Sequence, residues 1–334
     1  NQQFIGKGTN NFNIYGTADM TTTEIQNNTV GGGVNIYGTI LTAHAQGLRP
    51  GTTTGTIMGA NLRVYPGSLI HYNANGNQQV TGSGPNRLNP ISVADSFYYN
   101  MKFSGAGNKT LTGVLQMKDS VVITDNVLVD ATNFNFGMFG SNATKFLMNN
   151  GRLIIGTSGF EPRMQGSWYV TGGVIEFANN NTTSVRTRGG AAYGYQNIEI
   201  TGNNVYSTAA NMNLNPSGTF IIKPTGRYTM DTASVFGAGA GQSFIMEAGS
   251  ILFCRNVAGF HGPIVGIDGP AVRSNIETVT LQTGSTISYS RSTLNSNGSA
   301  NQTVTVTMPY QNLAFAGSGA KAPPAGATLE VKGD

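Results

Sequence analysis

One short pattern occurs three times in this chain and constrains it more than any other feature. Tyr98, Asn100, Met101, Phe103 and Gly105 are spaced as Tyr-x-Asn-apolar-x-apolar-x-Gly. Tyr195, Asn197, Ile198, Ile200 and Gly202 repeat that spacing, and Tyr310, Asn312, Leu313, Phe315 and Gly317 repeat it again. Apolar residues in strict alternation place one side of a strand inside a core. A pattern that returns at long intervals marks stacked supersecondary units, none of which buries its apolar face alone. The first expectation is therefore an elongated all-β repeat protein.

The flanking sequence sets the size of the unit. Asn13-Ile14-Tyr15-Gly16 returns as Asn35-Ile36-Tyr37-Gly38, 22 residues later (35 − 13). That length suits about three short strands at roughly 3.3 Å per residue plus turns, one coil of a parallel β-solenoid. Longer modules follow. Gly67-Ser68-Leu69-Ile70-His71-Tyr72 matches Gly172-Gly173-Val174-Ile175-Glu176-Phe177, 105 residues on (172 − 67), and Gly284-Ser285-Thr286-Ile287-Ser288-Tyr289, another 112 on (284 − 172). Strand–turn–strand arches are expected at 61–72, 113–124, 145–156, 219–231, 243–254 and 328–334, each with a polar turn between alternating apolar runs. The organisation reads as N-terminal coils over 1–60 and modules over 61–165, 166–277 and 278–334. No composition break marks a linker, so the expectation is one continuous right-handed parallel β-helix with irregular coils. With about 25 residues per coil and about 4.8 Å between coils it would form a rod on the order of 60 Å long. The last module stops where the first two continue, which would leave an open strand edge. A natural chain continuing beyond Asp334 is therefore expected.

Composition supports the class and removes several functions. Gly numbers 46 and charged residues make up 10%. Gly, Asn and Thr are poor helix formers but suit tight turns. Hydrophobic residues at 39% leave a core to bury. The net charge of +4 comes from 19 basic and 15 acidic residues. Nucleic-acid binding wants clustered Lys and Arg, and the densest cluster is Arg186-Thr187-Arg188, so no nucleic-acid partner is expected. Cys254 is the single cysteine, which rules out an intramolecular disulfide; alternating with Leu252, it reads as a small buried hydrophobe. No run of about 18 apolar residues exists, so the chain is not expected to be membrane-embedded. The first residues do not read as a secretory leader, so an exported chain would begin at its mature end.

The kernel followed by Gly105-Ala106-Gly107-Asn108-Lys109-Thr110-Leu111-Thr112-Gly113 resembles a repeat of large secreted surface proteins of the Bacteroidota, whose pattern is aromatic-Asn-Leu-x-Phe-x-Gly-x-Gly-x-Lys-Thr-Leu. The resemblance covers roughly residues 61–334 and is strongest at 98–113. The second module lacks the Lys-Thr-Leu part, and in the third the pattern fades after Gly317-Ser318-Gly319-Ala320-Lys321, where Ala322-Pro323-Pro324 replaces the Thr-Leu part. The resemblance implies β-helical structure, export through the type IX system, contact with secretion and outer-membrane anchoring machinery, further portions of the same chain, and a gliding- or surface-adhesin role at the cell surface, with surface glycans as possible ligands. It also implies O-glycosylation at Asp-Ser/Thr-apolar sites. Ser120 (in Asp119-Ser120-Val121) and Thr232 (in Asp231-Thr232-Ala233) fit and are expected at turns.

Residues that could carry chemistry mostly have a structural reading. Asn100, Asn197 and Asn312 are expected at coil bends, bonding backbone and adopting the left-handed conformation. Tyr98, Tyr195 and Tyr310 read as packing residues with bonded hydroxyls. His44, His71 and His261 are scattered without metal-ligand spacing, and His71, Glu176 and Ser288 should face outward. The acids Asp95, Asp119, Asp130, Glu161, Glu176, Glu199 and Asp231 are isolated from each other in sequence but could converge on neighbouring coils, and Glu176 and Glu199, 23 apart (199 − 176), are the first pair to inspect. Residues 237–241 lack the Lys-Ser/Thr of a phosphate loop. Trp168 could cap a coil or reach solvent. Thr303 to Thr307 alternate as an ice-binding array would, but the pattern does not recur. The expectation is a non-catalytic structural or adhesive segment with no cofactor and no metal. The alternatives are a polysaccharide-active β-helix lyase or hydrolase, marked by clustered acids or Ca²⁺ in a groove, and a phage tail fibre, marked by three-fold assembly.

Overall fold

Alternation along the chain produces short strands that pair in parallel with strands one turn of chain away. The computed structural model describes residues 3–6, 11–21, 23–27, 33–48, 55–58, 61–83, 97–138, 144–156, 166–178, 183–185, 194–207, 211–263, 269–292 and 299–333. Among them there is no helix, and the named strands pair in parallel throughout. The chain divides into two compact units, Asn1–Gly173 and Val174–Asp334.

In the first unit, one run of neighbouring strands is Thr17–Asp19, Thr39–Thr42, Leu69–Tyr72, Tyr98–Phe103, Leu115–Ile123, Thr144–Met148 and Gly166–Val170. A second run is Gln78–Val80, Asn108–Leu111, Leu128–Ala131 and Arg152–Ile155. Phe12–Ile14, Gly33–Ile36 and Asn61–Val64 form a third. The two Asn-Ile-Tyr-Gly copies stack as the 22-residue spacing requires, with Asn13 opposite Asn35 and Ile14 opposite Ile36. In the second unit, Val174–Phe177, Tyr195–Ile200, Met212–Ile222, Ser243–Met246 and Thr278–Leu281 run side by side. So do Thr183–Val185, Val205–Ser207, Arg227–Met230, Ile251–Cys254, Thr286–Tyr289 and Asn312–Phe315.

The core follows the alternation. Ile70 and Tyr72 are buried while Leu69 and His71 are half-buried, and the same order recurs in Val174–Phe177 and Ser243–Met246. Stacked inward positions bring aromatic rings together, Tyr72 on Phe103 at 5.8 Å and Phe220 on Phe244 at 5.3 Å. Contacts of this kind add about 0.5–1.5 kcal/mol each beyond area burial. Cys254 is fully buried, and Trp168 packs inward at 5.4 Å from Phe146.

Turns follow residue chemistry. In 65–68 the Ser68 amide donates to the Tyr65 carbonyl at 3.0 Å, with Pro66 second and Gly67 third at φ +83°, the arrangement of a type II turn. Turn length varies without loss of register. Met101 pairs with Val121, 20 residues on (121 − 101), and Ser243 with Thr278, 35 on (278 − 243).

Three expectations fail. Residues 113–124 do not form an arch: Leu115–Ile123 is one nine-residue strand. The anticipated corner is a bulge, because Tyr98 pairs with Met117 but Asn100 with Ser120, so that Lys118 and Asp119 together stand against the single residue Tyr99. A larger shift at the corresponding place, between Tyr195 and Asn197, sets four residues of Met212–Ile222 (215–218) against one, and there Ser217 takes φ +58°. Residues 328–333 are not an arch either, and only Val331 makes a bridge, to Tyr310. Ser288 is buried rather than outward, in register between Phe253 and Ala314.

Candidate functional site

The kernel residues are committed to the fold. All three kernel tyrosines are buried. The Tyr98 hydroxyl donates to the Thr81 carbonyl at 3.0 Å, and the Thr81 amide donates to the Tyr72 hydroxyl at 3.2 Å. The third module rebuilds this arrangement. The Tyr310 hydroxyl donates to the Thr305 carbonyl at 2.7 Å, the Thr305 amide donates to the Tyr289 hydroxyl at 2.9 Å, and the two hydroxyls lie 2.7 Å apart. Burial pushes Tyr72 and Tyr289 up to about 12, and Tyr310 upward as well. These phenols stay protonated at neutral pH and cannot serve as bases.

The kernel asparagines differ from expectation. Asn100 and Asn197 sit within the strands Tyr98–Phe103 and Tyr195–Ile200. The described non-glycine residues with positive φ are Thr21, Asp125 and Ser217, so no kernel asparagine is left-handed. Strand pairing overrides the turn preference, and the side chains bond sideways. Asn100 Nδ2 donates to the Ser68 carbonyl at 3.1 Å, and its Oδ1 accepts from Ser120 Oγ at 2.6 Å. Asn197 Oδ1 accepts from Thr219 Oγ1 at 2.7 Å. Asn312 opens the strand Asn312–Phe315. Gly105 and Gly317 take φ +79° and +77°, whereas Gly202 keeps a negative-side backbone and donates its amide to the Phe177 carbonyl.

Of the two expected modification sites, one departs from the turn position and one occupies it. Ser120 is mid-strand and half-buried with its hydroxyl bonded to Asn100, not at a turn. Thr232 is half-buried in the bend after Arg227–Met230.

Glu176 and Glu199 do meet, at paired positions of neighbouring strands. Each is already engaged. Glu176 Oε1 accepts from Thr201 Oγ1 at 2.8 Å, and Lys223 Nζ lies 3.9 Å from Glu199 Oε1 and 2.9 Å from Glu247 Oε1. His71 Nε2 is 2.6 Å from Ser104 Oγ, the nearest approach to a nucleophilic dyad among the described residues. Burial pulls His71 down to about 4, with Lys102 adding to the effect and Asp125 and Asp19 opposing it. The Asp125 carboxylate accepts from the Gly105 amide at 2.8 Å. Counted from Gly67 and Gly172, His71 corresponds to Glu176 (71 − 67 = 176 − 172 = 4), and counted from the kernel tyrosines Tyr98 and Tyr195, Ser104 corresponds to Thr201 (104 − 98 = 201 − 195 = 6). The same inter-strand bond is thus made with two different chemistries. Among the described residues no group of three or more His, Cys, Asp or Glu could hold a metal. Asp95, Glu161, Arg186 and Arg188 lie outside the described residues.

Three features escaped sequence reasoning. Tyr15, Tyr37 and Tyr65 stack as an outward ladder, with ring centroids 4.8 and 4.0 Å apart, and Tyr15 is 71% exposed. The signal was present in the repeated Asn-Ile-Tyr-Gly. A cleft of about 350 Å³ in the second unit has walls of Val257, Val304, Val306, Pro263 and Pro324, with His261 on its rim. The third is Lys109, wholly buried despite its charge. Its alternation with Leu111 already reads as inward.

No protein-family model, no curated protein and no solved structure matches the chain.

Proposed function

We propose that this chain is a non-catalytic structural and adhesive segment of a large exported cell-surface protein, built as a right-handed parallel β-helix with irregular coils. The observation that carries the reading is the fate of the polar side chains. Outward hydroxyls, amides and carboxylates are tied between successive strands, and equivalent positions use different residue types for the same bond. Parallel ladders between segments one turn apart favour a solenoid. In this reading the backbone ladders supply stiffness and resistance to proteases, and the segment's partners are secretion and anchoring machinery, other portions of its own chain and surface glycans. The outer face of Tyr15 offers a sugar ring a stacking surface.

A second reading, a polysaccharide lyase or hydrolase, is favoured by the Glu176–Glu199 pairing. One experiment separates the two. The purified protein is incubated with a panel of bacterial and algal polysaccharides, and both retention and new reducing or unsaturated ends are measured. Retention without product, weakened by Tyr15→Ala, is the expected result. Product formation that disappears in Glu176→Gln or Glu199→Gln would overturn it.

A further inference from the structure

Lys109 donates from Nζ to three backbone carbonyls, Ala74 at 2.7 Å, Gly76 at 3.1 Å and Ala106 at 2.9 Å. Its side chain is fully buried, and among the described residues no carboxylate is paired with it in a salt bridge. An ammonium has three N–H donors, so donors and acceptors match one for one. One strand earlier, at the position paired with Lys109, Gln78 does the same on a smaller scale. Its Nε2, with two N–H groups, reaches two carbonyls, Thr42 at 2.7 Å and His44 at 3.1 Å.

The third module repeats the pair. Gln302 Nε2 donates to the Cys254 and Asn256 carbonyls, both at 3.0 Å, and Gln302 is in register with Lys321. Lys321 Nζ donates to the carbonyls of Arg291 at 3.2 Å, Ala300 at 3.3 Å, Gly319 at 3.2 Å, and Ser318. In both modules the lysine ends a Gly-x-Gly-x-Lys run, 105–109 and 317–321, whose glycines all take positive φ near +75° to +79°. That backbone lets the turn approach the preceding one closely and aim its carbonyls inward. Unpaired, such buried carbonyls are costly.

We infer that the Gly-x-Gly-x-Lys turn is a monovalent-cation site that carries its own cation: the lysine ammonium fills a backbone carbonyl cage which, without the lysine, would take a free ammonium or potassium ion. The chemistry of the cage selects this class. Donor–acceptor distances of 2.7–3.1 Å are too long for Ca²⁺ at about 2.3–2.6 Å or Mg²⁺ at about 2.0–2.1 Å. The oxygens are uncharged carbonyls, the ligands that replace the hydration shell of potassium in channel filters. Burial draws the Lys109 ammonium down to about 8, which leaves it protonated at neutral pH.

The test is cation rescue in the full chain. Lys109→Met keeps the apolar stem and empties the cage. In lithium or tetramethylammonium chloride its unfolding equilibrium constant should exceed that of the unsubstituted protein by roughly ten- to a hundredfold. Potassium or ammonium chloride at equal ionic strength should recover a large part of that loss, while the unsubstituted protein responds equally to all four salts. An identical salt response in variant and unsubstituted protein would overturn the inference. Should Lys109→Met not fold, the unsubstituted protein decides. The Lys109 NH₃⁺ should exchange slowly and show couplings across hydrogen bonds to the Ala74, Gly76 and Ala106 carbonyl carbons. A rapidly exchanging amine without those couplings would refute it.

Discussion

Replacing Gly105 by alanine tests the close packing of successive turns. Gly105 takes φ +79°, where a side chain costs about 1–2 kcal/mol. The new Cβ would also stand 2.5 Å from the Ala74 carbonyl oxygen and 2.9 Å from that of Asn73. Both obstacles are backbone of the preceding turn, so relief requires the turns to part, at about 1–3 kcal/mol more. Gly67 is the control. Its φ is +83°, yet an added Cβ has nothing within 4 Å, so Gly67→Ala should lose only the conformational part. Both glycines and Trp168, the sole tryptophan, belong to the unit Asn1–Gly173. Urea unfolding followed by tryptophan fluorescence therefore reports both variants. The expected result is a lower midpoint at unchanged slope, with Gly105→Ala about 1–3 kcal/mol less stable than Gly67→Ala. Equal losses would refute the reasoning, since they would mean that the turns have room to accommodate a methyl group.

Tyr310→Phe should cost about 1–3 kcal/mol in denaturant unfolding, because the Tyr289 hydroxyl and Thr305 carbonyl lose their buried partner. Thr219→Val, which keeps shape but removes the donor to Asn197, should cost about 0.5–1.5 kcal/mol by the same measurement. His71 sits at about 4 when folded, against an ordinary value of 6.5. Between these values the unfolded chain binds the extra proton, so its contribution to stability is present above about pH 6.5 and is lost as pH falls toward 4. The slope of stability against pH in that window should flatten in His71→Gln; an unchanged slope would remove His71 as its source.

Local signals carried the strands and many turns. The arches at 61–72, 145–156 and 243–254 need only alternation and a glycine in the turn, information held within a dozen residues. Residues 113–124 defeated that logic because the decisive fact is remote. Their polar middle is a bulge opposite Tyr98 and Asn100, set by the register of another strand. The asparagines were misplaced for a related reason: turn propensity was the only local cue, while the bonds that fix Asn100 come from Ser68 and Ser120. Glu176 and Glu199 could be paired from spacing, but the hydroxyl and the lysine that engage them could not. The carbonyl cage of Lys109 was illegible because two of its three walls lie 35 and 33 residues upstream.

Like stacks on like in several places here. Asn35 Nδ2 donates to Asn13 Oδ1, Asn150 Nδ2 donates to Asn126 Oδ1, and three tyrosines share one ladder. Such contacts make tandem duplication a low-risk event for the gene. A copied turn arrives already complementary to its parent, whereas an added single residue within a strand throws every following side chain to the wrong face. Lineages carrying this fold should therefore differ in whole-turn steps, with single-residue length changes gathered at the corners.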